Sequence, residues 1–183
     1  RAASVTAGAV ELSGYGGGTG EAEGGGGKVA PSSAASAVAG LLAAARIPSS
    51  YIALLAYLPQ SPELDRALGR LRGLLLDRLG VATCAGYGPR YLHSSGQLHK
   101  GGPPSGCFLL LTAERDPGPR VSGEPFGFRE IQLAQALGDA EALAGRGRTV
   151  VRAHLHGDLP AALDALRSLL GEAIGPASYG PAG

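Results

Sequence analysis

Methionine and tryptophan are missing from this sequence altogether, and cysteine and lysine occur twice each. With six Tyr and three Phe among 183 residues, there is too little aromatic surface for large stacking platforms. Leu and Ala must therefore build the core through many small apolar contacts. Cys84 and Cys107 form neither a Cys-x-x-Cys pair nor a disulfide ladder, which suits a reducing cytoplasm and predicts two small core hydrophobes. Charge of one sign is lacking too, since 16 Lys plus Arg stand against 15 Asp plus Glu for a net charge of +1. No basic footprint for nucleic acid and no polybasic patch for an anionic membrane follows from that balance, so binding has to be local, at a site. No apolar run approaches the length of a membrane span, and Arg1 to Val10 lacks the basic and apolar regions of a signal peptide. Arg rather than Met at position 1 reads as a fragment or a trimmed chain.

What is present is 44% hydrophobic residues, together with 31 Gly and 13 Pro. Much of the Gly is clustered near the start. Residues 13–27 are mostly Gly, with Tyr15, Thr19, Glu21 and Glu23 between, too poor in apolar side chains to offset the entropy of ordering them. Residues 1–30 are accordingly expected to be a flexible segment, 31–175 the folded α/β domain and 176–183 a disordered tail. Phosphate-loop readings of the Gly cluster fail. Val29 follows Gly27-Lys28 where Ser or Thr is needed, Ala22 stands in place of the first Gly, and Gly16 and Gly18 lack the third Gly of a dinucleotide fingerprint.

Beyond Pro31 the apolar pattern alternates between two kinds of segment. Ala34 to Ala45 has helix propensity and helical spacing, and Tyr51 to Leu58 is a continuous apolar run suited to a strand buried on both faces. Ser61-Pro62-Glu63 supplies a cap, a first-turn proline and an acid. Leu64, Leu68, Leu71 and Leu75 then mark an amphipathic helix ending at Gly80. Val81 to Ala85, Cys107 to Thr112 and Thr149 to Leu155 read as strands, and Glu130 to Ala144 and Leu159 to Leu170 as helices. If residues 89–100 form a helix opened by Pro89, the order is strand-helix repeated four times, an α/β fold with a mostly parallel sheet and helices on both faces. If they form a loop, the order is that of a ferredoxin-like α/β sandwich. The apolar rather than alternating strands favour the first.

The densest polar cluster runs from Gly86 to Pro103 and holds two of the four His and one of the two Lys. A strand-to-Gly turn at Gly86-Tyr87-Gly88 is expected to offer free backbone N–H groups to an anion, with Arg90 beside it able to grip phosphate. His99 and Lys100 fall at a helix C-terminus, where their protonated forms are favoured and a His can donate a proton to a ring oxygen. Equally, such a stretch can be a plain solvated turn. His93 and His99 face different sides of a helix. His154 and His156 alternate on a strand end with no third ligand near them, so no metal is expected and they read as a solvent-facing strand edge. There is no Gly-x-Ser-x-Gly elbow, and neither Cys has an adjacent His, so nucleophilic catalysis has no support.

Tyr51 to Pro59, Gly86 to Pro103 and Ala134-Gln135-Ala136-Leu137-Gly138-Asp139 together resemble the C-terminal part of the bifunctional transaldolase/glucose-6-phosphate isomerase family. The likeness covers about residues 46–171. It implies an α/β domain at the end of the isomerase half, after its sugar-isomerase (SIS) α/β domains, cytoplasmic and cofactor-free, and part of an enzyme that interconverts glucose 6-phosphate and fructose 6-phosphate in glycolysis and gluconeogenesis. It also implies upstream isomerase and transaldolase domains as partners and leaves room for a homo-oligomer. On that resemblance His99 is the ring-opening acid/base with Lys100 beside it, and Arg90, His93, Ser94, Ser95 and Gln97 bind the phosphorylated sugar. The family's proton-shuttling glutamate and its final-helix lysine have no counterpart here. The alternative is a non-catalytic module that binds a phosphosugar or stabilises an interface.

Overall fold

The computed structural model describes residues 5–15, 34–114 and 118–176. Its centre is β3 (Tyr51–Tyr57), whose continuous apolar run is buried on both sides. Ile52, Leu54 and Ala56 enter one core, and Ala53, Leu55 and Tyr57 enter the other. The strand alternation alone sorts them, and helices must then cover both faces. On the first face lie α1 (Ala34–Ala45), α2 (Pro62–Leu79) and α5 (Leu159–Ile174), whose buried leucines share one cluster. The second face carries a short 3-10 turn (Arg90–His93), α3 (Ser95–Gly101) and α4 (Phe128–Ala144).

The α2 helix follows from its sequence signals. Ser61 Oγ accepts from the Leu64 N–H at 3.3 Å, Pro62 opens the first turn, and Glu63 and Asp65 lie where the helix dipole favours acids. Leu64, Leu68, Leu71 and Leu75 form the buried stripe. Gly80, at φ 64°, ends the helix by returning its N–H to the Leu76 carbonyl, a left-handed conformation that glycine adopts without steric cost.

Parallel pairing joins β4 (Ala82–Tyr87), β3, β5 (Gly106–Ala113) and β6 (Thr149–Leu155) in that spatial order. From β3 the chain passes over the first face to β4, returns over the second face to β5 on the other side of β3, and continues to β6. The direction of winding therefore reverses between β3 and β5. This is the doubly wound α/β arrangement expected from the alternating pattern, with residues 89–100 helical for the most part.

The N-terminal stretch departs from expectation. Residues 5–15 are a hairpin, β1 (Val5–Ala7) and β2 (Val10–Tyr15), and β2 pairs antiparallel with β6 from Val10↔Leu155 to Tyr15↔Val150. The sheet thus has six strands in the order β1-β2-β6-β5-β3-β4. Val10 and Leu12 are buried at 1% exposure each. Two apolar side chains at strand spacing, added to a strand already paired on its other side, outweigh the local glycines. Residues 16–33 and 177–183, which hold most of the expected linker and tail, lie outside the described residues. Among the described residues no helix is long and apolar enough to cross a membrane.

Candidate functional site

The Gly86–Pro103 string is the crossover from β4 to β5, and it travels from the carboxyl edge of the sheet back to the amino edge. Its predicted site residues are therefore spread apart. Arg90, at the carboxyl edge, is exposed, hydrogen-bonds the side chain of Gln60 and stands 5.9 Å over the Tyr87 ring. His93, Ser94 and Gln97 are also exposed and Ser95 is half-buried, while Ser94 Oγ donates to the Tyr91 carbonyl at 3.2 Å. His99 and Lys100 reach the amino edge. These seven side chains form an exposed shelf and a buried end, not one cavity.

The glycines before Pro89 have a different task from the one expected. Gly88 gives its N–H to the Ala56 carbonyl at 2.9 Å, so it is not offered to an anion. A Cβ on Gly88 would meet the Tyr57 ring at 2.6 Å, and one on Gly86 would meet Tyr91 Cβ at 2.8 Å. Two tyrosines pack against this backbone, and that close approach requires glycine.

At the amino edge the string turns inward. His99 is 3% exposed, with Nδ1 hydrogen-bonded to Tyr51 Oη at 2.8 Å and its ring edge-on to Phe108 at 5.1 Å. Burial lowers its pKa, an effect opposed by Asp139 and reinforced by Lys100. The expectation of a helix end that favours a protonated His99 is overturned: the seven-residue α3 turns Gly96 and His99 into the core, while Lys100 stays partly exposed. Asp139, 4% exposed in the middle of α4, pairs through Oδ1 with the Lys100 ammonium and accepts the Tyr91 hydroxyl on Oδ2. Tyr57 Oη lies 3.4 Å from Tyr91 Oη, and burial pushes the Tyr57 phenol up to about 12. A carboxylate this deep is tolerated because an ammonium and a phenol satisfy it. Close by, buried Arg148 donates from its guanidinium to the Gly102 carbonyl at 2.6 Å and from its N–H to the Leu143 carbonyl at 3.2 Å. It places a cation at the negative ends of α3 and α4.

The carboxyl edge holds a second polar group, which sequence reasoning missed. Thr112, 2% exposed, accepts from Arg152 Nε at 2.9 Å and is hydrogen-bonded to His154 Nδ1 at 2.8 Å. His156 lies 3.2 Å from a Glu114 oxygen and 3.7 Å from one of Glu11, with the His154 ring 4.9 Å away. His154 is thus on an interior strand flanked by β2 and β5, not at a solvent-facing edge, and His156 lies one residue beyond its end, half-buried. Arg and His at alternate positions of an otherwise apolar strand, Val150-Val151-Arg152-Ala153-His154-Leu155, were the available signal. Cys107 is buried and its thiol is pushed up to about 11, as a core hydrophobe should be, whereas Cys84 is only half-buried.

A cavity of about 340 Å³ opens between the end of α1 and the amino ends of β5 and β6, beside Ala44, Ile47, Ser105, Cys107 and Thr149. Among the described residues no charged side chain lines it, which makes it unsuited to a phosphorylated ligand.

No protein-family model matches the chain, and no curated protein matches it. Among solved structures it is similar to the hypothetical protein TT0462 from Thermus thermophilus, with a TM-score of 0.58 and 22% identity over 76% of this chain and 37% of that one. The chain therefore spans little more than a third of that protein's length. The likeness concerns the fold alone, and the class it defines is the α/β sheet with alternating strands and helices described above.

Proposed function

We propose that this chain is the C-terminal α/β domain of a glucose-6-phosphate isomerase, joined to transaldolase and isomerase domains that lie outside it. The observation that carries this reading is a convergence in space. The three segments that resemble the isomerase family meet in one network on one face of the sheet: Tyr51 and Tyr57 from the first, Tyr91, His99 and Lys100 from the second, and Asp139 from the third. Scattered chance matches would have no reason to touch. Arg90, His93, Ser94, Ser95 and Gln97 border this network and would hold the polar groups of the sugar phosphate. Lys100, anchored on Asp139 with 28% of its side chain exposed, reaches solvent beside the buried His99.

Burial of His99 favours a second reading, the non-catalytic module, since a ring-opening acid has to meet its substrate. Isomerisation then requires α3 to be uncovered when the other domains are in place. The test is His99→Asn in the protein carrying its isomerase domains. The isomerase reading expects a loss of a hundred- to ten-thousand-fold in turnover of cyclic fructose 6-phosphate, in the range typical of a positioned acid/base. Binding of 6-phosphosugars by calorimetry with unchanged turnover in the variant establishes the module instead.

A further inference from the structure

On the first face of the sheet the helical cover stops before the strands do. Cys107 of β5 and Thr149 of β6 stand directly opposite each other at the amino edge, and strand alternation turns both the same way as Leu109 and Val151, which share their core with α1. Helix α1 ends at Ala45, and the chain then turns back through residues 46–50 into β3. The space left between that turn and the turns entering β5 and β6 is the cavity of about 340 Å³, at the lower end of the roughly 300 to 1,000 Å³ that small-molecule sites enclose. It lies on the opposite face of the sheet from His99, which packs on Phe108.

The walls are stiff. Pro48 and Pro104, one on each side, hold their own φ angles. Between Pro48 and Ser50, Ser49 has φ 67°, the one positive φ outside glycine among the described residues, and a side chain stays in that sparsely populated region only where its surroundings demand it. A cavity walled in this way costs little ordering when a ligand enters. The backbone of the three turns is spent internally: the Ser50 N–H donates to the Ile47 carbonyl at 3.1 Å, the Ser105 N–H to the Pro103 carbonyl at 2.8 Å and the Gly147 N–H to the Ala144 carbonyl at 2.9 Å. The hydroxyls are not. Ser50, Ser105 and Thr149 all line the cavity, and none of their side chains hydrogen-bonds another described residue. Each can donate and accept, and none carries charge. Ala44 and Ile47, the latter 61% exposed, supply the apolar side.

We propose that this cavity binds an uncharged small molecule, a ring bearing an amide or hydroxyl group, with the ring against Ala44 and Ile47 and the polar group on the hydroxyls of Ser50, Ser105 and Thr149. A charged head is excluded, because among the described residues no charged side chain lines the cavity to offset its desolvation. The site goes beyond the isomerase reading and needs neither Arg90 nor His99.

The experiment follows the backbone amide resonances of the full chain at pH 7 during titration with benzamide, with phenol and with benzoate, the charged isostere of benzamide. A saturable shift of Ser105, Gly106 and Gly147 with benzamide or phenol, and none with benzoate, supports the site. Ala44→Leu, which fills the apolar side, should weaken binding at least about tenfold, as overpacking a formed site does. Thr149→Val keeps the shape and removes one hydroxyl, and should weaken binding about three- to tenfold, the worth of one neutral hydrogen bond. If Ala44→Leu does not fold, Thr149→Val decides. The proposal is overturned if neither neutral probe gives a saturable shift at these residues up to about 20 mM, beyond the millimolar affinity expected of a molecule this small. Benzoate binding as tightly as benzamide overturns it too, as does binding left unchanged by the substitutions.

Discussion

The two edges of the sheet use the same kinds of residue to opposite ends. At the amino edge Asp139 takes Lys100 and Tyr91, His99 takes Tyr51, and Arg148 is held by the carbonyls of two helix ends, its buried Nε alone without a hydrogen-bond partner. At the carboxyl edge Thr112 gathers Arg152 and His154, both of them half-buried where His99 and Asp139 are buried. A titratable cluster therefore signals function less by its composition than by what is left over once internal partners are counted. By that measure the string that looks most chemical in sequence has its inner end committed to holding the crossover in place. The strand that looks ordinary carries titratable groups nearer to solvent.

Breaking the closed edge should give the largest effect. Asp139→Ala strands the Lys100 ammonium and the Tyr91 hydroxyl, and a buried pair that loses one partner costs about 3 to 5 kcal/mol. Urea unfolding should show this, with His154 resonances unchanged up to the transition. A loss under about 1 kcal/mol would mean that this edge is not closed at all. Next comes Leu12→Ala, which removes a buried leucine from the strand that brings Glu11 and Ser13 to the open edge. About 3 kcal/mol is expected for such a truncation, and amide exchange in β2 should accelerate while α3 stays protected.

Acid should separate the edges by titration. Burial holds His154 down to about 4, with Arg152 and His156 adding to the depression. The unfolded chain takes up that proton near pH 6.5, the native state only near 4, so between these values unfolding binds protons and stability falls as pH falls. The full shift corresponds to about 3 kcal/mol, and partial exposure reduces the expectation to about 2 kcal/mol. His99 is lowered in the same direction and adds to the slope. His154→Asn should flatten the dependence of the urea midpoint on pH between 4 and 6.5, and an unchanged slope would move the titration elsewhere. The smallest effect belongs to the shelf. Arg90→Gln and His93→Ala should change stability by less than about 0.5 kcal/mol, as exposed substitutions do, while weakening 6-phosphosugar binding in calorimetry if the isomerase reading holds.

Much of the fold was legible because its signals are local. The leucine stripe from Leu64 to Leu75, the cap at Ser61 and the two-sided burial of Tyr51 to Leu58 each depend on a few neighbouring residues, and each reappears with bounds moved by a residue or two. The hairpin was missed because Val10-Glu11-Leu12-Ser13 offers only one full alternation beside a run of glycines, and its partner strand lies far along the chain. The site was less legible for a similar reason. Whether His99 points into the core depends on how α3 lies on the sheet, and no spacing within residues 95–101 reports that. Asp139, the partner that draws Lys100 and Tyr91 inward, stands 48 positions from Tyr91 in the sequence and on a different helix.

The antiparallel hairpin also dictates an order of assembly. Val10 sits opposite Leu155 and Tyr15 opposite Val150, so the first strands of the chain find their place only after β6 has been made. During synthesis β3, β4 and β5 can associate as they emerge, whereas the outer side of β2 must wait for a strand about 140 positions later. Long-range closure of this kind slows folding. A ribosome-bound chain stopped before Thr149 should leave the hairpin open to protease, and one extended past Leu155 should protect it.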